Sequence, residues 1–194
     1  GVDGGKMSKS YVNTVLMRDE PAAVGKKIRG RTTDPARARR SDPGNPEFDA
    51  KVESAYQEAL KTKFGTSFEN DADIKRLAIE HIEEKHGADS LTGSARCKTE
   101  GDEKTVVRQV QLCYDAKSSK PNAFVPLFYE AANTPNITPD KMSLRTLYYA
   151  VEQEIEAAKK NGRTLELTAL GVGAKTIGGK TYVAIGFELT NTTP

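Results

Sequence analysis

At Phe48 the chain changes character, and that break constrains its folding more than any other feature. Residues 1–47 carry few large apolar side chains and are rich in proline, glycine and charge, whereas from Phe48 onward apolar residues recur at regular spacings. A segment that buries little apolar surface cannot offset the entropy cost of ordering its backbone. We therefore expect two parts: a front segment of loop and linker over residues 1–47, with fast amide exchange, and a folded body over 48–194.

The body mixes both periodicities. Phe48, Val52, Tyr56, Ala59 and Leu60 recur at helical spacing, and Ile74, Leu77, Ala78 and Ile82 repeat the pattern up to Lys85, with Gly87 placed to end a helix. Thr105 to Tyr114 alternates like a strand. A connector with prolines spans 122–139, and a long helix then carries Leu144, Leu147, Tyr148, Val151, Ile155 and Ala158 on one stripe, with Ser143 expected as its N-cap and Asn161-Gly162 as its stop. Thr164 to Gly171 and Lys180 to Thr190 read as a hairpin around Ile177-Gly178-Gly179. The fold class is α+β: an irregular basic front segment, amphipathic helices and a small antiparallel sheet with a C-terminal hairpin.

Charge is uneven along the chain. The net charge is +2, but residues 1–47 carry ten Lys or Arg against six Asp or Glu, so that segment is +4 and the remainder is −2. Lys26 to Arg40 holds seven basic residues and one acid, Asp34, a footprint suited to phosphate and equally to a solvated face. Acids and a proline at Asp19-Glu20-Pro21 are expected to open a short helix with Ala22, Val24 and Ile28, and prolines 35, 43 and 46 favour an extended path after it. No apolar run approaches the roughly 18 residues of a membrane span. With no signal peptide either, a cytoplasmic protein is expected.

One motif carries chemistry. Lys6-Met7-Ser8-Lys9-Ser10 follows Gly4-Gly5 and offers two compact positive charges and two hydroxyls on a short loop, the groups a triphosphate requires when its leaving group departs. The run is the phosphate-handling signature of class I aminoacyl-tRNA synthetases. With Asp3-Gly4, Asn13-Thr14, Thr33-Asp34-Pro35-Ala36-Arg37 and Arg39 to Glu47 it resembles the tryptophanyl-tRNA synthetase family over the first quarter of the chain. The resemblance implies ATP as cofactor, with magnesium as its companion ion, held by Lys6, Ser8, Lys9 and Ser10, and tRNA as partner for the basic stretch Lys26–Arg40. In that family the loop follows a nucleotide-binding sheet with a histidine turn. We expect no such sheet ahead of Gly1 and therefore an ATP-phosphate-binding segment incomplete as a catalyst. A non-catalytic chimeric or designed scaffold is the alternative.

Two further patterns, in 72–126, are similar to the T-two family of acid ribonucleases. His81-Ile82-Glu83-Glu84-Lys85-His86-Gly87 resembles that family's His-Glu-Trp-x-Lys-His-Gly signature, but Ile82 stands where the family has its glutamate, and the chain holds no third histidine. Alternatively, Ala95-Arg96-Cys97, Gln111-Leu112-Cys113-Tyr114-Asp115 and Pro121 to Pro126 resemble a C-terminal scaffold region whose two cysteines are disulfide-bonded, implying a Cys97–Cys113 bridge worth about 3 kcal/mol. In a cytoplasmic setting the same thiols stay reduced. The two alignments exclude each other, and the scaffold one is favoured; the histidines then read as surface residues flanking a core isoleucine. Two histidines on one short helix support neither a metal set nor a serine triad. Lys141-Met142-Ser143-Leu144-Arg145 repeats the front loop by coincidence, and the glycines at 171, 173, 178 and 179 read as hairpin punctuation.

Overall fold

The computed structural model describes residues 43–102, 104–115 and 124–194. Lys6 to Ser10, the expected helix after Pro21 and the basic stretch Lys26–Arg40 lie outside the described residues. Gly44–Pro194 form one compact unit.

Helix α1, Pro46–Phe64, starts where local chemistry directs it to start: proline opens its first turn, Asn45 Oδ1 accepts from Phe48 N–H at 3.1 Å, and Glu47 and Asp49 face the positive end of the helix dipole. It stops at Gly65, whose φ of 135° an L side chain rarely adopts. Helix α2, Ala72–Lys85, is capped by Asp71, which accepts from both Asp73 N–H and Ile74 N–H at 3.0 Å. Helix α3, Lys141–Lys160, begins three residues ahead of the sequence expectation. Its cap is Asp140, accepting from Ser143 N–H at 2.7 Å, and Ser143 itself is buried in the first turn. Both residue types cap well; Ser143 is diverted because its hydroxyl accepts from Tyr114 N–H, a donor brought there by tertiary packing.

The strands are β1 Cys97–Gly101, β2 Val106–Leu112, β3 Tyr114–Asp115, β4 Val125–Pro126, β5 Phe128–Tyr129, β6 Leu165–Ile177 and β7 Lys180–Asn191. Strand β7 is the spine of the main sheet: β6 runs antiparallel along one side, β2 and then the short β5 along the other, and β1 lies outside β2. β3 and β4 pair separately. The β6–β7 hairpin turns at Gly178-Gly179, both with positive φ, the geometry a two-residue turn between twisted strands requires.

Both faces of this sheet are covered. Val183, Ile185, Phe187 and Leu189 point to one side and pack with Val52, Tyr56 and Leu60 of α1 and Leu144, Leu147 and Val151 of α3. Tyr182 and Ala184 alternate to the other side and pack with Ile74, Leu77, Ala78 and Ile82 of α2. Gly171 and Gly173, expected as hairpin punctuation with the first strand ending at Gly171, both lie within β6, which runs on to Ile177. A Cβ on Gly171 would sit 2.7 Å from the Ile74 side chain and one on Gly173 2.9 Å from Ala78, so these glycines let α2 lie close on the sheet.

Candidate functional site

The C-terminal half of α2 carries both histidines, and the fold separates them. His81 faces inward and is 1% exposed; its Nε2 donates to the Arg96 carbonyl at 3.0 Å, leaving Nδ1 buried without a partner. Burial holds its pKa below the ordinary value, so the ring is neutral at pH 7. The expectation of two surface histidines is corrected here, because the packing of the turn Gly93–Arg96 under α2 covers His81. His86 caps the same helix, its ring 5.5 Å from that of Tyr182. Ile82 between them is fully buried in the core. The two rings therefore do not converge on a shared substrate position.

Cys97 and Cys113 are both free thiols. Cys97 lies opposite Gln111 in the β1–β2 register, and Cys113 lies beyond the end of that pairing, turned into the core between α1 and α3. The bridge implied by the ribonuclease resemblance is absent for that reason. Burial pushes the Cys113 thiol up to about 12, which leaves it protonated and unreactive.

Around Cys113 the fold assembles a buried polar cluster that the sequence pattern does not reveal. Tyr56 of α1 and Tyr129 of β5 share a hydrogen bond of 2.8 Å between their hydroxyls, and the Asp140 N–H donates to Tyr56 Oη at 3.0 Å. Tyr129 donates on to the Thr138 carbonyl at 3.0 Å. Gln111 Nε2 donates to the Ser143 carbonyl at 3.0 Å, and Tyr114 Oη lies 2.8 Å from Thr146 Oγ1. Burial raises both tyrosines, Tyr129 to about 12. The cluster ties the start of α3 to β2 and α1. With Tyr56 and Tyr129 raised by burial and hydrogen-bonded to each other, to the Asp140 N–H and to the Thr138 carbonyl, it is a structural tether.

Among the described residues no group of three or more His, Cys, Asp or Glu side chains could hold a metal ion. No helix among them is long and apolar enough to cross a membrane.

Comparison with known proteins assigns the front of the chain. The family model for class I tRNA synthetases of the tryptophan and tyrosine type matches residues 1–96, running past the front motifs through α1 and α2. Within that class the relatives are tryptophan–tRNA ligases. The enzyme of Ralstonia nicotianae is 63% identical over 46 residues, covering 24% of this chain and 12% of that protein. Those of Aquifex aeolicus and Deinococcus radiodurans are 36% and 35% identical over 97 residues, covering 43% of this chain and 23% and 28% of theirs. The chain thus spans about a quarter or less of the length of these relatives. Its front part is related to tryptophanyl-tRNA synthetases. No solved structure matches the chain significantly.

Proposed function

We propose that residues 1–47 are an ATP-phosphate-binding loop and linker of the tryptophanyl-tRNA synthetase type, joined to a separate α+β body over 48–194. The observation that carries this reading is Lys6-Met7-Ser8-Lys9-Ser10 inside the stretch matched by the synthetase family. Lys6 and Lys9 contact the triphosphate, Ser8 and Ser10 donate hydrogen bonds to its oxygens, and magnesium accompanies the nucleotide. The basic stretch Lys26–Arg40 faces the phosphates of tRNA, and the protein acts in the cytoplasm. Ligation of tryptophan to tRNA is what the matched proteins' names describe, and on this reading the chain carries the segment that handles the triphosphate.

A second reading, a non-catalytic scaffold or binding body, rests on the described body itself: its histidines are separated, its buried thiol is inert and its polar cluster is saturated. Isothermal titration with ATP decides between the two. A dissociation constant weaker than about 1 mM is expected. Lys9→Ala should reduce the heat, and equal heats for parent and variant would exclude the loop as the ATP site.

A further inference from the structure

Helix α3 ends on Asn161-Gly162, the one place in the chain where glycine follows asparagine. Asn161 is exposed at the C-cap with ψ 14°, and Gly162 takes a φ of 71° with open space where a Cβ would stand. Hydrogen bonds finish the helix there. Asn161 Nδ2 donates to the Ala157 carbonyl at 3.1 Å, Gly162 N–H to the Lys159 carbonyl at 3.0 Å and Arg163 N–H to the Ala158 carbonyl at 3.0 Å. The chain then enters the sheet: Thr164 N–H donates to Thr193 Oγ1 at 2.8 Å, and the Thr164 carbonyl accepts from Thr192 N–H at 2.8 Å. Bonds of an exposed last helical turn open at little cost, well below that of unfolding the sheet.

We propose that Asn161-Gly162 is a self-modification site, at which the asparagine is converted, with water as co-reactant, to a mixture of aspartyl and isoaspartyl linkages. When the last turn opens, the Gly162 backbone nitrogen loses its proton and attacks Asn161 Cγ, forming a five-membered ring. The Cγ–Nδ2 bond breaks and ammonia leaves. Glycine, having no Cβ, does not obstruct this approach. Water then opens the ring at either carbonyl: cleavage at Cγ restores the normal backbone with a carboxylate at 161, and cleavage at the main-chain carbonyl leaves the backbone running through Cγ. Other asparagines are protected. Asn45 precedes Pro46, whose nitrogen carries no proton, and the Asn70 amide is held at both ends by Val172. Either product removes the donor to the Ala157 carbonyl and places negative charge at the negative end of the α3 dipole, offset in part by the neighbouring Lys159, Lys160 and Arg163. The isoaspartyl product also lengthens the backbone by one atom, which carries the Gly162 and Arg163 N–H groups out of register with their carbonyls and loosens the joint between α3 and β6.

Incubation of the full chain at mildly alkaline pH, followed by cleavage after glutamate and peptide mass mapping, tests the assignment. Peptide 157–166 should gain the mass that exchange of an amide NH2 for OH adds, and it should split into two chromatographic species, aspartyl and isoaspartyl. Peptides holding Asn70, Asn133, Asn136 and Asn191 should stay unchanged over the same period. Because the native hydrogen bonds hold the reacting atoms apart, unfolding in urea should speed the conversion about tenfold or more. Asn161→Gln, at an exposed position, requires a six-membered ring and should give no isoaspartyl product. A mass gain spread evenly over the asparagines, an aspartyl product alone, or equal rates in the native and urea-unfolded chain would overturn the proposal.

Discussion

The side-chain amide of Asn70 closes a ring of two hydrogen bonds on the backbone of Val172: its Oδ1 accepts from Val172 N–H at 2.8 Å and its Nδ2 donates to the Val172 carbonyl at 3.1 Å. The amide thus imitates one residue of a neighbouring strand. Further along the same edge of β6, Ala174 N–H donates to Glu53 Oε1 at 3.1 Å and Thr176 Oγ1 donates to Asp49 Oδ1 at 2.5 Å. Asp71 N–H donates to the Leu170 carbonyl at 3.0 Å. Side chains from α1 and the α1–α2 loop therefore occupy an edge that would otherwise be open to pairing with another chain.

Asn70→Ala removes both bonds and leaves the Val172 amide unpaired. A loss of about 1–3 kcal/mol is expected, read as a lower urea midpoint. Asn70→Asp retains only the acceptor and should fall between parent and alanine variant. An unchanged midpoint in Asn70→Ala would show that the edge is satisfied another way.

Gly173 permits the close approach of α2, so Gly173→Val should be more damaging than any surface change. Even the first added carbon would lie 2.9 Å from the Ala78 methyl and 3.0 Å from the Lys75 carbonyl. Overpacking of this kind costs about 1–3 kcal/mol. Gly162, where an added Cβ meets open space, provides the contrast, although its positive φ adds backbone strain of its own. Thermal melts of Gly173→Val and Gly173→Ala should rank below the parent in that order.

His81 makes stability depend on pH in a defined direction. Its folded pKa lies below the unfolded value of about 6.5, so the unfolded chain binds more protons between those two values. Stability is then fully present above about pH 6.5 and falls as pH drops toward the folded pKa. Urea midpoints between pH 7.5 and 5 should decline for the parent and stay flatter for His81→Gln, which retains a donor toward the Arg96 carbonyl. Parallel declines in the two proteins would assign the effect to other groups.

The thiols should report the missing bridge. A mass shift after alkylation in urea without reductant should correspond to two modified cysteines. Under native conditions Cys113, fully buried, should resist alkylation while Cys97, half-buried, reacts slowly. Recovery of unmodified protein in urea would indicate a disulfide.

Cleavage of single-stranded RNA at mildly acidic pH is not expected, because His81 is enclosed and Ile82 occupies the core. Activity lost in His86→Ala would contradict this.

Sequence alone determined the elements whose causes are local. The apolar stripe from Phe48 to Leu60 and the paired glycines at 178 and 179 each act within a few residues, so the apolar face of α1 and the turn of the hairpin could be read directly, whereas Pro46, expected in an extended linker, opens α1 behind the Asn45 cap. The synthetase motif was legible for the same reason, being a contiguous run with its own chemistry. What the tertiary structure decided depends on residues far apart in the chain. Asp140 replaced Ser143 as the cap of α3 because Tyr114 claimed the serine hydroxyl, and Gly171 and Gly173 became a floor for α2 because Ile74 and Ala78 packed onto them. His81 was buried by a turn fifteen residues later, and Asn70 found Val172 across 102 residues of chain. Periodicity identifies which face of a segment is apolar; which polar atoms meet across the core is fixed only when the layers close and every buried donor must find an acceptor.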